Sequence, residues 1–177
     1  MRKLQIGVIG SMADVKLKNS LKETAKELGR EIANSDAILV FGFEGDFDSL
    51  SFIAAEAAEE VGGQTVAFTW GSNKSNLAKL NSMEVVTGQQ RGGGREFSLI
   101  LSCDAVICIS GGSGTLMEIT MAYQARIPII AISTSGGWSK QLSNTFLDER
   151  KAVRIEEAKT SKEAITKLMA LVEKKRV

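Results

Sequence analysis

The sequence predicts a three-layer α/β domain of the Rossmann-like, doubly wound kind, with a mainly parallel sheet of about six or seven strands. Three observations carry that expectation. Short runs that are apolar throughout, such as Ala105 to Ile109, alternate with longer segments whose apolar residues recur at helical spacing. Strands lacking a polar face belong in sheets covered on both sides, and such sheets are parallel. The stretch Asp104 to Ile132 also spells one complete unit of this architecture. It has an apolar run, a glycine-rich turn (Ser110-Gly111-Gly112-Ser113-Gly114-Thr115), a helical segment over Leu116 to Ala125, and a second apolar run after Pro128.

The remaining elements follow the same alternation. Leu4 to Ile9 reads as the first strand, ending at Gly10-Ser11. A helix over Leu17 to Ala33 sets Leu17, Leu21, Ala25, Leu28 and Ile32 on one stripe. Ala37 to Phe41 is the second strand, and Gly42 to Asp48 the turn after it. The helix over Ser49 to Val61 is rich in alanine, which suits close packing on a sheet, and it stops at Gly62-Gly63. Gln64 to Phe68 and Glu84 to Thr87 give two more strands, separated by a polar segment, Thr69 to Asn76, that holds Trp70. In that segment Trp70 is either a lid that stacks on a base or the anchor of a surface loop. The linker Gly88 to Arg95 leads into a helix before Asp104. After the central unit come the turn Ser135-Gly136-Gly137-Trp138, a short strand over Ala152 to Ile155, and a helix over Ser161 to Lys174 with Ala164, Ile165, Leu168, Met169, Leu171 and Val172 as its apolar stripe. No repeat or low-complexity tract interrupts residues 1–177, so they read as a single domain.

Composition narrows the chemistry. The 177 residues carry 22 basic and 21 acidic side chains, a net charge of +1, so no global charge draws the chain to nucleic acid or to a membrane surface. The basic residues form no evident stripe, which argues against DNA binding. With no histidine, Ser-His-Asp and Cys-His catalysis and histidine-ligated metals are excluded, and acid–base work falls to carboxylates, lysine or tyrosine. Cys103 and Cys108 form neither a disulfide framework nor a zinc set; Cys108 reads as a small core residue. No metal site is expected. Nor is there a signal peptide or an apolar stretch of membrane-spanning length, and a soluble cytoplasmic protein is the expectation.

The turn Ser110 to Thr115 is the strongest candidate site. In a parallel sheet ligands sit at the carboxyl ends of strands. Closely spaced glycines there let backbone N–H groups converge on an anion at the helix N-terminus, and phosphate is the natural guest. Thr115 can cap the helix or donate its hydroxyl to the same anion. Glu118 lies about one turn further on. It either faces the bound ligand or is an ordinary first-turn glutamate favoured by the helix dipole. No Gly-Lys-Ser/Thr follows the turn, so this is not a P-loop, and Met117 stands where the third glycine of a dinucleotide fingerprint would fall. Gly10 and Ser11 line either the same site or a plain βα turn. Arg91 and Arg95 bracket three glycines and suit bidentate contact with phosphate or carboxylate; Arg91 equally suits solvent exposure.

Gly111-Gly112-Ser113-Gly114-Thr115-Leu116-Met117-Glu118 resembles the GGxGTxxE motif of the Lonely Guy family of cytokinin nucleoside 5′-monophosphate phosphoribohydrolases, once described as lysine decarboxylases. That motif usually opens with proline, where this chain has Ser110. The family also sets an arginine nine residues before an Asp-Ala pair, and Arg95 stands nine residues before Asp104-Ala105. Within these folds the chain most resembles a broader branch that includes molybdenum-cofactor carrier proteins. The resemblance implies Arg95 and Glu118 as the catalytic pair. It implies Gly10, Ser11, Gly42, Gly45, Gly111, Gly112, Ser113, Gly114 and Thr115 as the nucleotide site, no required cofactor beyond a bound nucleotide or phosphate, and a homodimer or higher homo-oligomer. Two activities follow from it: hydrolysis of the N-glycosidic bond of a nucleoside 5′-monophosphate, or non-catalytic carriage or sensing of a nucleotide or molybdenum cofactor. Relatives carry a loop of approximately GGxxGxM where this chain has Gly42-Phe43-Glu44-Gly45-Asp46-Phe47-Asp48. Its three carboxylates repel a bare phosphate. They cap the next helix through Asp46 or Asp48, face solvent, or hold a divalent ion; capping is the favoured reading.

Overall fold

A computed structural model describes residues 2–11, 16–43, 45, 48–74, 77, 80–90 and 92–176. Seven strands form one sheet: β1 Gln5–Gly10, β2 Ile38–Phe43, β3 Gln64–Thr69, β4 Met83–Val86, β5 Ala105–Ile109, β6 Ile129–Ile132 and β7 Ile155–Ala158. Every neighbouring pair is parallel, in the order β4-β3-β2-β1-β5-β6-β7. The helices are α1 Asn19–Asn34, α2 Leu50–Glu60, α3 Gly94–Leu101, α4 Ser113–Gln124, α5 Gly137–Leu142 and α6 Ser161–Arg176. The chain winds outward from β1 in one direction and from β5 in the other. The order therefore reverses between β1 and β5, and a crevice opens beyond their carboxyl ends.

Alternation along the strands divides the core in two. Phe41 and Phe43 of β2, with Ile107 and Ile109 of β5, face α1, α2 and α6. Val40, Val106 and Cys108 face α3, α4 and α5. The predicted stripe of α1 lies on the sheet: Ala25, Leu28 and Ile32 are buried, and Leu17 and Leu21 are partly so. Among the described residues no helix is long and apolar enough to cross a membrane.

Three local expectations are corrected. Helix α4 starts at Ser113 rather than Leu116, with Gly112 as its N-cap, because the glycine turn itself closes into the first helical turn. Strand β7 runs Ile155–Ala158 rather than Ala152–Ile155: as an edge strand it buries Ile155 and Ala158 and leaves Glu156 and Glu157 half-exposed, so its pattern is not a continuous apolar run. Helix α2 is capped by Ser49, whose Oγ accepts from Phe52 N at 3.2 Å, instead of by Asp48, which pairs with Lys22 at 3.2 Å. Glu44 and Asp46 lie outside the described residues.

Helices α1 and α2 cross closely at Gly29, where a Cβ would sit 1.9 Å from the carbonyl oxygen of Ala54. Backbone cannot yield as a side-chain end can. Gly29→Ala is therefore expected to cost about 2 kcal/mol by overpacking, roughly 4–8 °C in Tm, in a thermal unfolding measurement.

Candidate functional site

The crevice between β1 and β5 is bounded by two loops that touch. Beyond β5, Ser110 and Gly111 both take positive φ (57° and 102°). Ser110 donates its N–H to Ser135 Oγ (2.6 Å), and Ser135 Oγ in turn donates to Ile132 O (2.5 Å). The Ser110 carbonyl accepts from Ser139 N (3.0 Å) and Ser139 Oγ (2.9 Å), while the Gly111 carbonyl accepts from Trp138 N (3.1 Å). A Cβ at Gly137 would meet Gly111 O at 2.6 Å, so the loop after β6 lies directly against the loop after β5. From the other side Ser11 Oγ accepts from Gly111 N (3.0 Å), and Ser11 O accepts from Leu50 N (3.1 Å), which ties β1, β5 and α2 together.

This bracing sorts the predicted cradle. Gly10 is held against β5, since a Cβ there would lie 2.5 Å from Ile109 O. The N–H of Gly111 is taken by Ser11. Thr115 is buried, and its Cβ and Cγ2 would both be 2.5 Å from a Cβ at Gly111, so it props up the turn. Gly112, Ser113 and Gly114 are exposed, and around Gly112 and Gly114 the space is open. The first N–H groups of a helix have no intrahelical acceptor. Those of the α4 start therefore point, with the helix dipole behind them, into the crevice. Glu118 is half-buried in the second turn of α4, so it is not the first-turn glutamate that the dipole favours.

Arg95 was expected to end the linker before a helix; it lies in the first turn of α3 instead, followed there by Glu96. Both are about 4% exposed, and the guanidinium pairs with the Glu96 carboxylate at 3.0 Å. Arg95 fills the space that Gly42 leaves on β2: a Cβ at Gly42 would fall 1.8 Å from Nη1. Glu96 also accepts from Gly93 N (2.8 Å) and Gly92 N (3.1 Å). Sequence reasoning missed Glu96, although a glutamate three residues after the start of a helix is the reciprocal half of a capping box. It also missed Ser135 and Ser139, whose roles arise from contacts between loops far apart in sequence.

The other predicted residues are spread around this centre. Arg95 and Glu118 sit on neighbouring helices of one layer. Gly45 (φ 81°) lies in the open beyond β2. Arg91 falls outside the described residues. Trp138 packs on the core beneath α5. Trp70, just beyond β3, is 46% exposed. Cys103 and Cys108 are buried and free. Burial above all pushes both thiols well above the ordinary range, with the charge of Glu118 adding to the shift. Among the described residues no three acidic, cysteine or histidine side chains cluster as metal ligands.

Comparison with known proteins agrees with this geometry. The model of the SLOG cluster4 family matches residues 3–165. The solved protein TM1055 shares 28% identity, covering 94% of this chain and 99% of that one, with a TM-score of 0.83. The molybdenum cofactor carrier protein of Chlamydomonas reinhardtii superimposes with a TM-score of 0.80 at 24% identity over 97% of this chain and 99% of its own. The molybdenum cofactor binding protein of Rippkaea orientalis gives 0.77 at 24% identity over 97% and 99%. No curated protein matches significantly in sequence.

The Arg95–Glu96 pair sets a pH dependence. Burial opposes the ionisation of Glu96, but the Arg95 guanidinium and the N–H groups of Gly93 and Gly92 outweigh it and hold the carboxyl below its usual range. A carboxyl with a depressed folded pKa contributes stability that is present above its ordinary pKa and lost as pH falls through the folded value. Glu96→Gln is therefore expected to cost about 3 kcal/mol or more at neutral pH, the usual effect of breaking a buried pair. The gap to wild type should narrow in thermal scans run toward acid pH. A gap independent of pH would show that the carboxylate is not held ionised by Arg95.

Proposed function

The chain belongs to the SLOG cluster4 family, and we infer from that membership and from the crevice that it binds a small phosphorylated ligand reversibly, as a carrier or store. The phosphate rests on the N-terminus of α4, at Gly112, Ser113 and Gly114, and Ser11 closes the site from β1. The observation that carries the choice of carriage over catalysis is the Arg95–Glu96 pair. A guanidinium that orients a substrate and answers charge developing on it must present that charge to the ligand. Here a carboxylate 3.0 Å away neutralises it, and the backbone of Gly42 covers it. Arg95 then supplies the wall of the site rather than a reactive cation. The names of the Chlamydomonas and Rippkaea proteins, which describe carriage and binding of molybdenum cofactor, support the same reading.

One observation favours a second reading, nucleoside 5′-monophosphate phosphoribohydrolase. Glu118 stands half-buried in the second turn of the helix whose start holds the phosphate. From there a carboxylate can activate water and stabilise an oxocarbenium-like ribosyl centre, as carboxylates do in glycoside hydrolysis. Neither reading requires a further cofactor.

We also propose that the protein is a homodimer joined through α3 and α4. Phe97 and Leu101 of α3 are 50% and 61% exposed. A cleft of about 430 Å³ lined by Phe97, Leu116, Met117 and Met121 runs beside them.

The ligand reading is tested by incubating the protein with ribose 5-phosphate and the common nucleoside 5′-monophosphates. Melting temperature and free base are both followed. Expected are a rise in Tm that Gly114→Asp abolishes, by setting a negative charge in the cradle, and no free base. Base release that disappears in Glu118→Gln would establish the hydrolase instead; no rise with any probe would remove phosphate binding. For the dimer, light scattering on wild type and on Phe97→Glu/Leu101→Glu should give twofold different masses, and a monomeric wild type would refute the interface.

A further inference from the structure

We propose that Trp70 is the stacking platform for a planar heteroaromatic ring of the ligand, an inference that rests on the phosphate-binding reading above. Trp70 is the first residue beyond β3, and nearly half of it is exposed (46%). The backbone presenting it is braced. Gly71, at φ 72°, donates its N–H to Gln89 O (2.9 Å) and accepts from Gly88 N (3.0 Å). Thr69 O accepts from both Thr87 N (3.3 Å) and Thr87 Oγ1 (2.7 Å). An indole left half in solvent forgoes the burial that a large aromatic side chain usually gains.

Beside Trp70 opens a cleft of about 300 Å³. Phe43 and Thr69 form its floor, each about 1% exposed, and Phe43 is held by Phe52 with ring centroids 5.6 Å apart. Ser72 and Asn73 line the same cleft and bring hydroxyl and amide groups suited to ring heteroatoms. An apolar floor with a few polar groups is the usual make-up of a small-molecule subsite.

The placement fits one ligand lying across the sheet. β3 and β5 are three strand steps apart, about 14 Å at roughly 4.8 Å per step. A phosphate at the start of α4, a sugar-sized spacer passing the Arg95–Gly42 wall at β2, and a ring in the cleft lined by Trp70 beyond β3 span that distance. The other tryptophan does not serve, because Trp138 packs on the core beneath α5.

The test compares adenosine 5′-monophosphate with ribose 5-phosphate, which offers the same phosphate without the ring. Stacking on an aromatic side chain is worth roughly fivefold or more in affinity per base, so wild type should bind the nucleotide at least about fivefold more tightly by calorimetry. Trp70→Ala should bring the nucleotide down to the affinity of ribose 5-phosphate, and Trp70→Phe should restore most of the difference. In a Trp138→Phe background the remaining tryptophan fluorescence should be quenched by the nucleotide and not by the sugar phosphate. Equal affinities in wild type, or an advantage that survives Trp70→Ala, would overturn the stacking while leaving phosphate binding intact. Binding of neither compound would remove the phosphate reading and this one with it.

Discussion

The close backbone contact between the loop after β5 and the loop after β6 is the constraint on which the site depends. Gly137 lies so near Ser110 and Gly111 that no side chain fits between them. Closing that contact turns the chain through two consecutive residues of positive φ before α4 begins. A proline at 110, the residue that usually opens the related motif, fixes φ near −65° and has no N–H. It could neither take the observed φ of 57° nor donate to Ser135. Serine at 110 is thus part of a different turn shape. Ser135 and Ser139 supply the hydrogen bonds that hold this turn, and Thr115 fills the space beneath it.

The same economy of charge governs the opposite wall. A buried arginine paired with a buried carboxylate is weak as a source of stability, since desolvation offsets much of the attraction. Its value lies in position: Glu96 ties the Gly92–Gly93 turn and the Arg95 guanidinium to one place, and Gly42 admits the guanidinium to the edge of β2. On the proposed reading the crevice meets its ligand with a helix dipole and backbone amides rather than with an unbalanced cation. A phosphate held that way is bound through modest, geometry-dependent interactions, which suit release as much as capture.

Where the sequence was legible, local pattern and tertiary environment agreed. Ala105 to Ile109 is apolar throughout because β5 is covered on both faces, so its strand reads directly, and the glycine turn after it marks the site. The stripe of α1 reads for the same reason. Legibility failed where a residue's role comes from a distant partner. Asp46 and Asp48 look like caps, yet Ser49 is the residue whose side chain reaches Phe52 N. Arg95 reads as the last residue of a linker, and only the absence of a side chain at Gly42, far away in sequence, makes room for it to be buried with Glu96. Strand β7, an edge, carries two glutamates and no apolar run, so its register was misplaced by three residues (155 against 152).

A parallel sheet also acts as a ruler. Its strands end along one line with steps of roughly 4.8 Å. The groups at those ends, the cradle on β5 and α4, the Arg95 wall at β2 and the indole beyond β3, therefore have fixed separations that side-chain rotamers change only slightly. On the proposed reading, charge selects for phosphate at one end of that line, and the spacing selects for what the phosphate is attached to. On that reading a bare phosphate engages one station, whereas a ligand carrying a ring at the right remove engages all three. Discrimination in such a site comes from length and planarity, properties that the Rossmann-like order of strands sets before any side chain is chosen. The side chains at each station then decide whether the ligand held there is only carried or also cleaved.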